Sequence, residues 1–326
     1  MPLITCGQTI VSLSDAETVL DGLLRAGVDV PNSCRAGACQ SCLVRAVEGI
    51  VPPAAQVGLK DALKQQGYFL ACACRPTTDL AVALAGEAVK RAAARVAAVH
   101  RLTADVARLH LACDDESFAF RPGQFANVAR PDGLARPYSI ASLPGEPIEL
   151  HVRRVPNGRM SNWLFDDCRP GDALELRGPV GECFYTPGKP DQPMALVGTG
   201  TGLAPLYAIA RDALRQGHTG PIRLYHAAAD PSGLYLHAEL TALAAAHANL
   251  SYRACVTAAA ADGIGENVTV GDVQQVLLAD VPKFAGWRVF LCGNPTLVAA
   301  LRKKAFLAGA SMKEIHSDAF VMRQSA

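Results

Sequence analysis

The stretch CRAGACQSC, residues 34–42, places three cysteines at C-x4-C-x2-C, and Cys72 follows after 29 intervening residues within YFLACAC, residues 68–74. This is the plant-type spacing for a [2Fe–2S] cluster. Three thiolates so close together need a tight loop whose amides face the sulfurs, while the fourth must come from elsewhere to close a two-iron cage. Gly37 and Ala38 supply the small, permissive positions of such a loop. A structural zinc site or a redox dithiol at Cys39 and Cys42 would fit part of the pattern. Zinc motifs usually present two close pairs, however, and a redox CxxC normally opens a helix behind a strand. Cys34, Cys39, Cys42 and Cys72 are therefore assigned to the metal, and neighbouring Cys74 to packing.

Working outward, residues 3–12 alternate about a Gly7–Gln8 turn as a short hairpin. Ser14 or Asp15 is expected to cap a helix carrying Val19, Leu20, Leu23 and Leu24, and Gly27 to end it. With the strand-like LVRAV and YFLACAC segments, the first 85 or so residues read as a compact α+β module. Residues 85–95 show neither a strand pattern nor a core period, which puts a boundary near Lys90. From Arg95 to about Pro187, RVAAVHRL, VARLHLA, QFANVA, IELHVRRV and ALELRG are short strands between Pro and Gly turns, as in an antiparallel barrel or sandwich. Beyond Pro187, apolar strands (MALVG, IRLYHA, SYRACV, RVFLC) alternate with helices, predicting a parallel sheet covered on both faces. The expected domains are 1–89, 90–188 and 189–326.

Composition agrees. A chain of 326 residues, half of them hydrophobic and 19% charged, has ample material for two or three packed cores. Thirty-one Lys and Arg against 30 Asp and Glu leave a net charge of +1, which excludes nucleic-acid or membrane-surface binding by bulk electrostatics. The N-terminus lacks the basic and apolar regions of a secretory signal, and no apolar run approaches the roughly 20 residues of a membrane span. A cytoplasmic location follows, in which the 11 cysteines stay reduced.

The order of CRAGACQSC, LACAC, RPYSIAS (136–142), GTGTGLAP (198–205) and LCGNP (291–295) resembles the ferredoxin–NAD(P) reductase superfamily. Within it, the chain is similar to the reductases of multicomponent ring-hydroxylating oxygenases of the naphthalene-dioxygenase type, over essentially its whole length. The resemblance implies a multidomain protein: a β-grasp [2Fe–2S] ferredoxin domain, an antiparallel FAD-binding β-barrel and a Rossmann-like parallel α/β nicotinamide domain. It implies that Arg136, with Pro137, meets the FAD pyrophosphate, that Tyr138 covers the isoalloxazine face, and that Ser139 lies at N5. A guanidinium suits a diphosphate, an aromatic ring suits a flat heterocycle, and a small hydroxyl leaves a path for hydride.

In HVRRVPNGRMSNWL, residues 151–164, the segment Gly158, Arg159, Met160 and Ser161 can open a short helix whose free amides bind phosphate, with His151, Val152 and Arg153 beside the ring. Gly198, Thr199, Gly200, Thr201 and Gly202 follow a strand and permit close approach of a nucleotide, although they depart from G-x-G-x-x-G and lack the GK[ST] of a P-loop. The resemblance places Cys292, with Gly293 and Pro295, near nicotinamide C4, and Phe320 of HSDAF against the isoalloxazine. Glu314 and Asp318 could assist, or could simply be a solvated strand end. Asp230 is the charge nearest the expected adenosine ribose, which favours NADH over NADPH, with Arg223 and Arg253 as the cations that could oppose it.

The function implied is electron transfer from NADH through FAD and the [2Fe–2S] cluster to a terminal oxygenase or small ferredoxin, by a monomer with Ser139, Cys292 and Phe320 at the hydride-transfer centre. A P450 or a deoxysugar-forming enzyme as acceptor, or a redox-sensing binding protein without turnover, are the alternatives. Flavohaemoglobin-like and dihydroorotate-type reductases do not match the motif order.

Overall fold

The 3–12 hairpin closes as read, with β1 (Leu3–Cys6) antiparallel to β2 (Thr9–Ser12) and Cys6 opposite Thr9. In this computed structural model, residues 1–32, 35–37, 40–84, 90–258 and 268–320 are described, and they form two compact units, Met1–Val89 and Lys90–Ala326. In the first unit β3 (Leu43–Glu48), β4 (Tyr68–Leu70) and β5 (Leu80–Leu84) complete a mixed sheet of order β2-β1-β5-β3-β4, with β1 and β5 parallel. The helix Val19–Arg25 buries Val19, Leu20 and Leu23 against it. Each such side chain contributes about 1.5–3 kcal/mol.

That helix begins later than expected. Thr18, not Ser14 or Asp15, is the N-cap, and its hydroxyl and the Asp21 side chain form a reciprocal capping box. Gly27 (φ +81°) follows the C-cap residue Ala26, as the sequence suggested. Gly22 allows the close approach: a β-carbon there would lie 2.2 Å from Leu13 Cδ2. YFLACAC is strand only through Leu70 and then turns as a 3-10 helix over Ala71–Ala73.

The second unit starts with β6 (Lys90–Arg101), so the latter part of the segment read as patternless, Lys90 to Arg95, is strand. Its inward positions Ala92 and Ala94 are buried but small, so they carry little hydrophobic signal. With β7 (Val106–Cys113), β8 (Phe125–Ala129), β9 (Ala135–Ser139), β10 (Ile148–Arg153) and β11 (Ala173–Val180), it forms an antiparallel sheet of order β10-β7-β6-β11-β8-β9. An antiparallel bridge between Ile140 and Leu150 joins the two edges into a near-closed barrel.

The remaining strands are β12 (Met194–Thr199), β13 (Ile222–Ala228), β14 (Leu250–Val256), β15 (Val268–Val270), β16 (Arg288–Gly293) and β17 (Ile315–Ala319). They are all parallel, in the order β15-β14-β13-β12-β16-β17. Buried on both faces, β12 and β16 read as unbroken apolar runs. The strand order reverses between β12 and β16, and ligands of such sheets bind in the crevice at the carboxyl ends of those two strands. No helix among the described residues is long and apolar enough to cross a membrane.

Candidate functional site

Cys42 stands immediately before β3 and Cys72 in the turn after β4, and the Ala71 amide donates to the Cys42 carbonyl at 3.0 Å, tying the two segments together. Both thiols are buried in the core of the first unit. Arg35 (φ +50°), Gly37 (φ +74°) and Gln40 (φ +61°) are all left-handed, which curls the loop, and Gly37 lies over Leu70 and Ala73. Cys34 and Cys39 lie outside the described residues. Two buried cysteines on segments tied by a backbone bond, with two more cysteines in the adjoining sequence, fit the donor set of a [2Fe–2S] cluster. Cys74 is fully buried in the same core, and its carbonyl accepts the first amide of the helix, Val19 N–H.

RPYS is the body of β9, an edge strand on which a proline costs no ladder bond. Arg136 and Pro137 are exposed, and the Arg136 guanidinium donates to its neighbour's carbonyl, Ala135 O. Tyr138 is half-buried, with its phenol held above the usual range by burial, so it stays neutral. Ser139 is buried beside Asp318 of β17, whose carboxyl burial pushes up to about 6. Two residues on, the Phe320 amide donates to Gly293 O at 2.8 Å, so the ends of β9, β16 and β17 converge.

On β10, Val152 points into the barrel core and can offer a cofactor only its backbone. The same holds for His151, expected beside the ring: its side chain is enclosed, with Nε2 2.7 Å from Glu149 Oε1 and Nδ1 3.2 Å from the Tyr235 hydroxyl. Burial lowers the His151 pKa, leaving a neutral ring that donates to Glu149 and accepts from Tyr235. Glu149 is itself desolvated, yet His151, Arg108 and His110 together hold it at about 2. Arg153 points outward, donates to Asp105 at 2.8 Å and lies against the glycine turn: a β-carbon on Gly200 would sit 3.3 Å from its guanidinium.

Gly158 caps a single turn, Arg159–Asn162. A β-carbon at Gly158 would lie 2.3 Å from Ser161 Oγ, and that hydroxyl is spent on Gly158 O at 3.2 Å. Arg159 is exposed, whereas Met160 belongs to the barrel core.

At the reversal of strand order, Gly202 packs on the end of β16 so closely that a β-carbon would be 2.3 Å from Cys292 O. Gly293 (φ +114°) faces Thr199, whose hydroxyl accepts from Asn294 N at 2.8 Å. These contacts join Gly198–Gly202 to Cys292–Pro295, and Pro295 opens the helix Pro295–Leu307. Thr201 is half-exposed. Cys292 is buried, its Sγ 3.5 Å from Cys183 Sγ, and desolvation raises its thiol well above the usual range. It is therefore a protonated, enclosed group and not a nucleophile.

Asp230 ends the turn after β13, exposed, with Oδ1 accepting from Ser232 N at 2.9 Å. Arg223 and Arg253 are drawn away: Arg223 donates to Asp280 O at 2.7 Å and Arg253 pairs with the Asp280 carboxylate at 3.1 Å. Neither Glu314 nor Asp318 is a solvated strand end, since Glu314 bonds Lys189 and Arg288 and Asp318 is desolvated by burial. Glu149, Tyr235 and Arg108 went unnoticed in the sequence because they belong to no motif and meet only through the fold.

Three domain families match in the expected order: a 2Fe-2S iron-sulfur cluster binding domain over residues 4–77, an oxidoreductase FAD-binding domain over 93–185 and an oxidoreductase NAD-binding domain over 196–303. The ferredoxin–NAD(P)(+) reductase component of a naphthalene 1,2-dioxygenase system from Pseudomonas putida is 36% identical over 98% of both chains. The reductase subunit of an aromatic O-demethylase from an Amycolatopsis species is 33% identical over 97% of this chain and 98% of that one. Among solved structures, a cytochrome P450 reductase from Amycolatopsis superposes with a TM-score of 0.68 at 31% identity, covering 98% of this chain and 99% of that one. The ferredoxin reductase in carbazole 1,9a-dioxygenase does so with a TM-score of 0.65 at 27% identity over 98% of each.

Proposed function

The chain belongs to the ferredoxin–NAD(P) reductases that carry an N-terminal [2Fe–2S] domain, the reductase components of oxygenase systems, and from that membership we propose that it draws electrons from NADH and delivers them to a ring-hydroxylating oxygenase or its small ferredoxin. The observation that carries the reading is the contact of Arg153 on β10 with Gly200 of the glycine turn, at the reversal of strand order. FAD supplies the step from a hydride pair to single electrons, which a nicotinamide cannot hand singly to a cluster.

The chain's own residues bind and orient. Arg136, on the open edge of β9, holds the FAD pyrophosphate, with the exposed Arg159 and the amides after Gly158 beside it. Tyr138 and Phe320 cover the isoalloxazine, Ser139 lines the hydride path, and the backbone of His151–Arg153 borders the ring. Thr199 and the glycines admit the nicotinamide nucleotide, with the uncharged Cys292 thiol as floor. Asp230 accepts from the adenosine ribose and repels a 2′-phosphate. The segment 226–235 has no Lys or Arg, and Arg223 and Arg253 are committed to Asp280, which supports NADH.

The P450-reductase likeness favours a second acceptor class, a P450. Anaerobic mixing of the purified holoprotein with NADH should bleach the flavin absorbance and then the cluster absorbance. A panel of purified oxygenase, ferredoxin and P450 acceptors then ranks the partners. Flavin that stays oxidised in excess NADH would refute the reading, and turnover with a P450 alone would establish the second one.

A further inference from the structure

One polar chain crosses from the barrel to the parallel sheet. His151 bonds Glu149 on its own strand at 2.7 Å and the Tyr235 hydroxyl at 3.2 Å. The Tyr235 phenol in turn stands beside the backbone amide of Ala204. Ala204 is the second residue of the helix Leu203–Arg215, which runs on directly from the 3-10 turn Gly200–Gly202. Behind Glu149, Arg108 of β7 lies 3.3 Å from Glu149 and 2.7 Å from Glu239 on the helix His237–Ala246. The flavin-side strands and the nicotinamide-side helices are thus tied through one node.

We propose that Glu149, His151 and Tyr235 form a positioning relay, which fixes the spacing between β10 and the Gly200–Leu203 turn and through it the approach of nicotinamide to flavin. The proposal rests on the roles given above to those two segments. His151 and Tyr235 are both buried, and each satisfies the other across the seam. A slide of β10 against the turn would leave buried polar atoms unpaired, whereas apolar packing alone would tolerate it. Directional bonds hold distances to tenths of an ångström, and a misplacement of about 1 Å can cost on the order of 100-fold in rate. None of the three residues touches the reacting atoms; they act through the segments they hold.

The test is Tyr235→Phe, which removes one oxygen, compared with Tyr225→Phe, which removes the same oxygen from a buried phenol bonded to Asp280 at 2.9 Å, away from the seam. In stopped-flow reduction of the holoprotein, Tyr235→Phe should lower the limiting rate of flavin reduction about 10-fold and change the NADH dissociation constant by less than about twofold. The primary deuterium isotope effect with NADH deuterated at the transferred position should rise. Tyr225→Phe should lower the thermal midpoint of the chain at least as much and leave the limiting rate unchanged. Glu239→Gln, at the half-exposed end of the node, carries no risk to the core and should slow reduction about twofold to threefold in the same sense. Wild-type limiting rates in both Tyr235→Phe and Glu239→Gln, or equal slowing by Tyr225→Phe, would overturn the relay. If the wild-type protein itself takes no hydride from NADH, the functional reading fails and the relay with it.

Discussion

Ser139 at the end of β9 lies beside Asp318 of β17, and burial pushes that carboxyl up to about 6 from an ordinary 3.8. The native chain therefore holds a proton that the unfolded chain has lost between those two values. This contribution to stability is full below pH 3.8 and falls as pH rises through 6, by about 3 kcal/mol in all. Asp318→Asn keeps a polar side chain of the same shape beside Ser139 and removes the titration. Denaturant unfolding at pH 5 and pH 7.5 should show the wild type losing roughly 1 to 2 kcal/mol relative to Asp318→Asn across that interval. Parallel pH curves would mean the carboxyl is solvated after all.

Cofactor choice tests the turn after β13. kcat/KM should be higher with NADH than with NADPH, because Asp230 meets the extra phosphate with like charge and no neighbouring cation offsets it. Replacing Asp230 with Ser and Ser232 with Arg should narrow the gap by about 1 to 3 kcal/mol, the worth of a charged hydrogen bond gained. Equal efficiencies in the unmodified chain would move the specificity elsewhere, first to Arg223 and Arg253.

Cys72 and Cys74 make a matched pair for the cluster assignment. Cys72→Ser should abolish the bound iron while FAD stays at about one per chain, since the two cofactors belong to separate units. Cys74→Ser should keep the iron and cost about 1 to 3 kcal/mol, the burden of a hydroxyl in a fully buried apolar position. Iron and flavin analysis of both variants decides it, and the reverse pattern would exchange the roles of the two thiols.

The sequence was legible where local sterics or chemistry dictate the residue. The C-x4-C-x2-C loop needs small positions, the Gly198–Gly202 turn needs glycines because Cys292 O and Leu206 crowd it, and MALVG and RVFLC read as doubly buried strands. It was illegible where side chains are small or partners distant. Ala92 and Ala94 face a core without advertising it, so the start of β6 read as linker. Ser14 or Asp15 reads as the cap, and the reciprocal bond with Asp21 that makes Thr18 the cap shows only in the structure. Strand alternation turns His151 away from the barrel core with Glu149 and Arg153, but its partner Tyr235 stands 84 residues away, so its enclosure in the seam was not legible.

Truncation separates the two halves of the electron path. A fragment beginning at Lys90 keeps β6 whole, including the bond from Lys90 Nζ to Ser117 O and the pairing of Lys90 with Gly178. It retains RPYS, GTGTG, LCGNP and HSDAF and its own barrel and sheet cores, so it should fold, bind FAD and accept hydride from NADH. It lacks Cys34, Cys39, Cys42 and Cys72. Ferricyanide is small enough to draw electrons from flavin directly, so the fragment should reduce it nearly as fast as the full chain. A protein acceptor must dock, and on the proposed route it docks at the cluster loop, so the fragment should fail with oxygenase, ferredoxin or P450 alike. Full turnover of a protein acceptor by the fragment would show that electrons leave from the flavin, and the role of the four cysteines in delivery would fall while the NADH and FAD assignments stood.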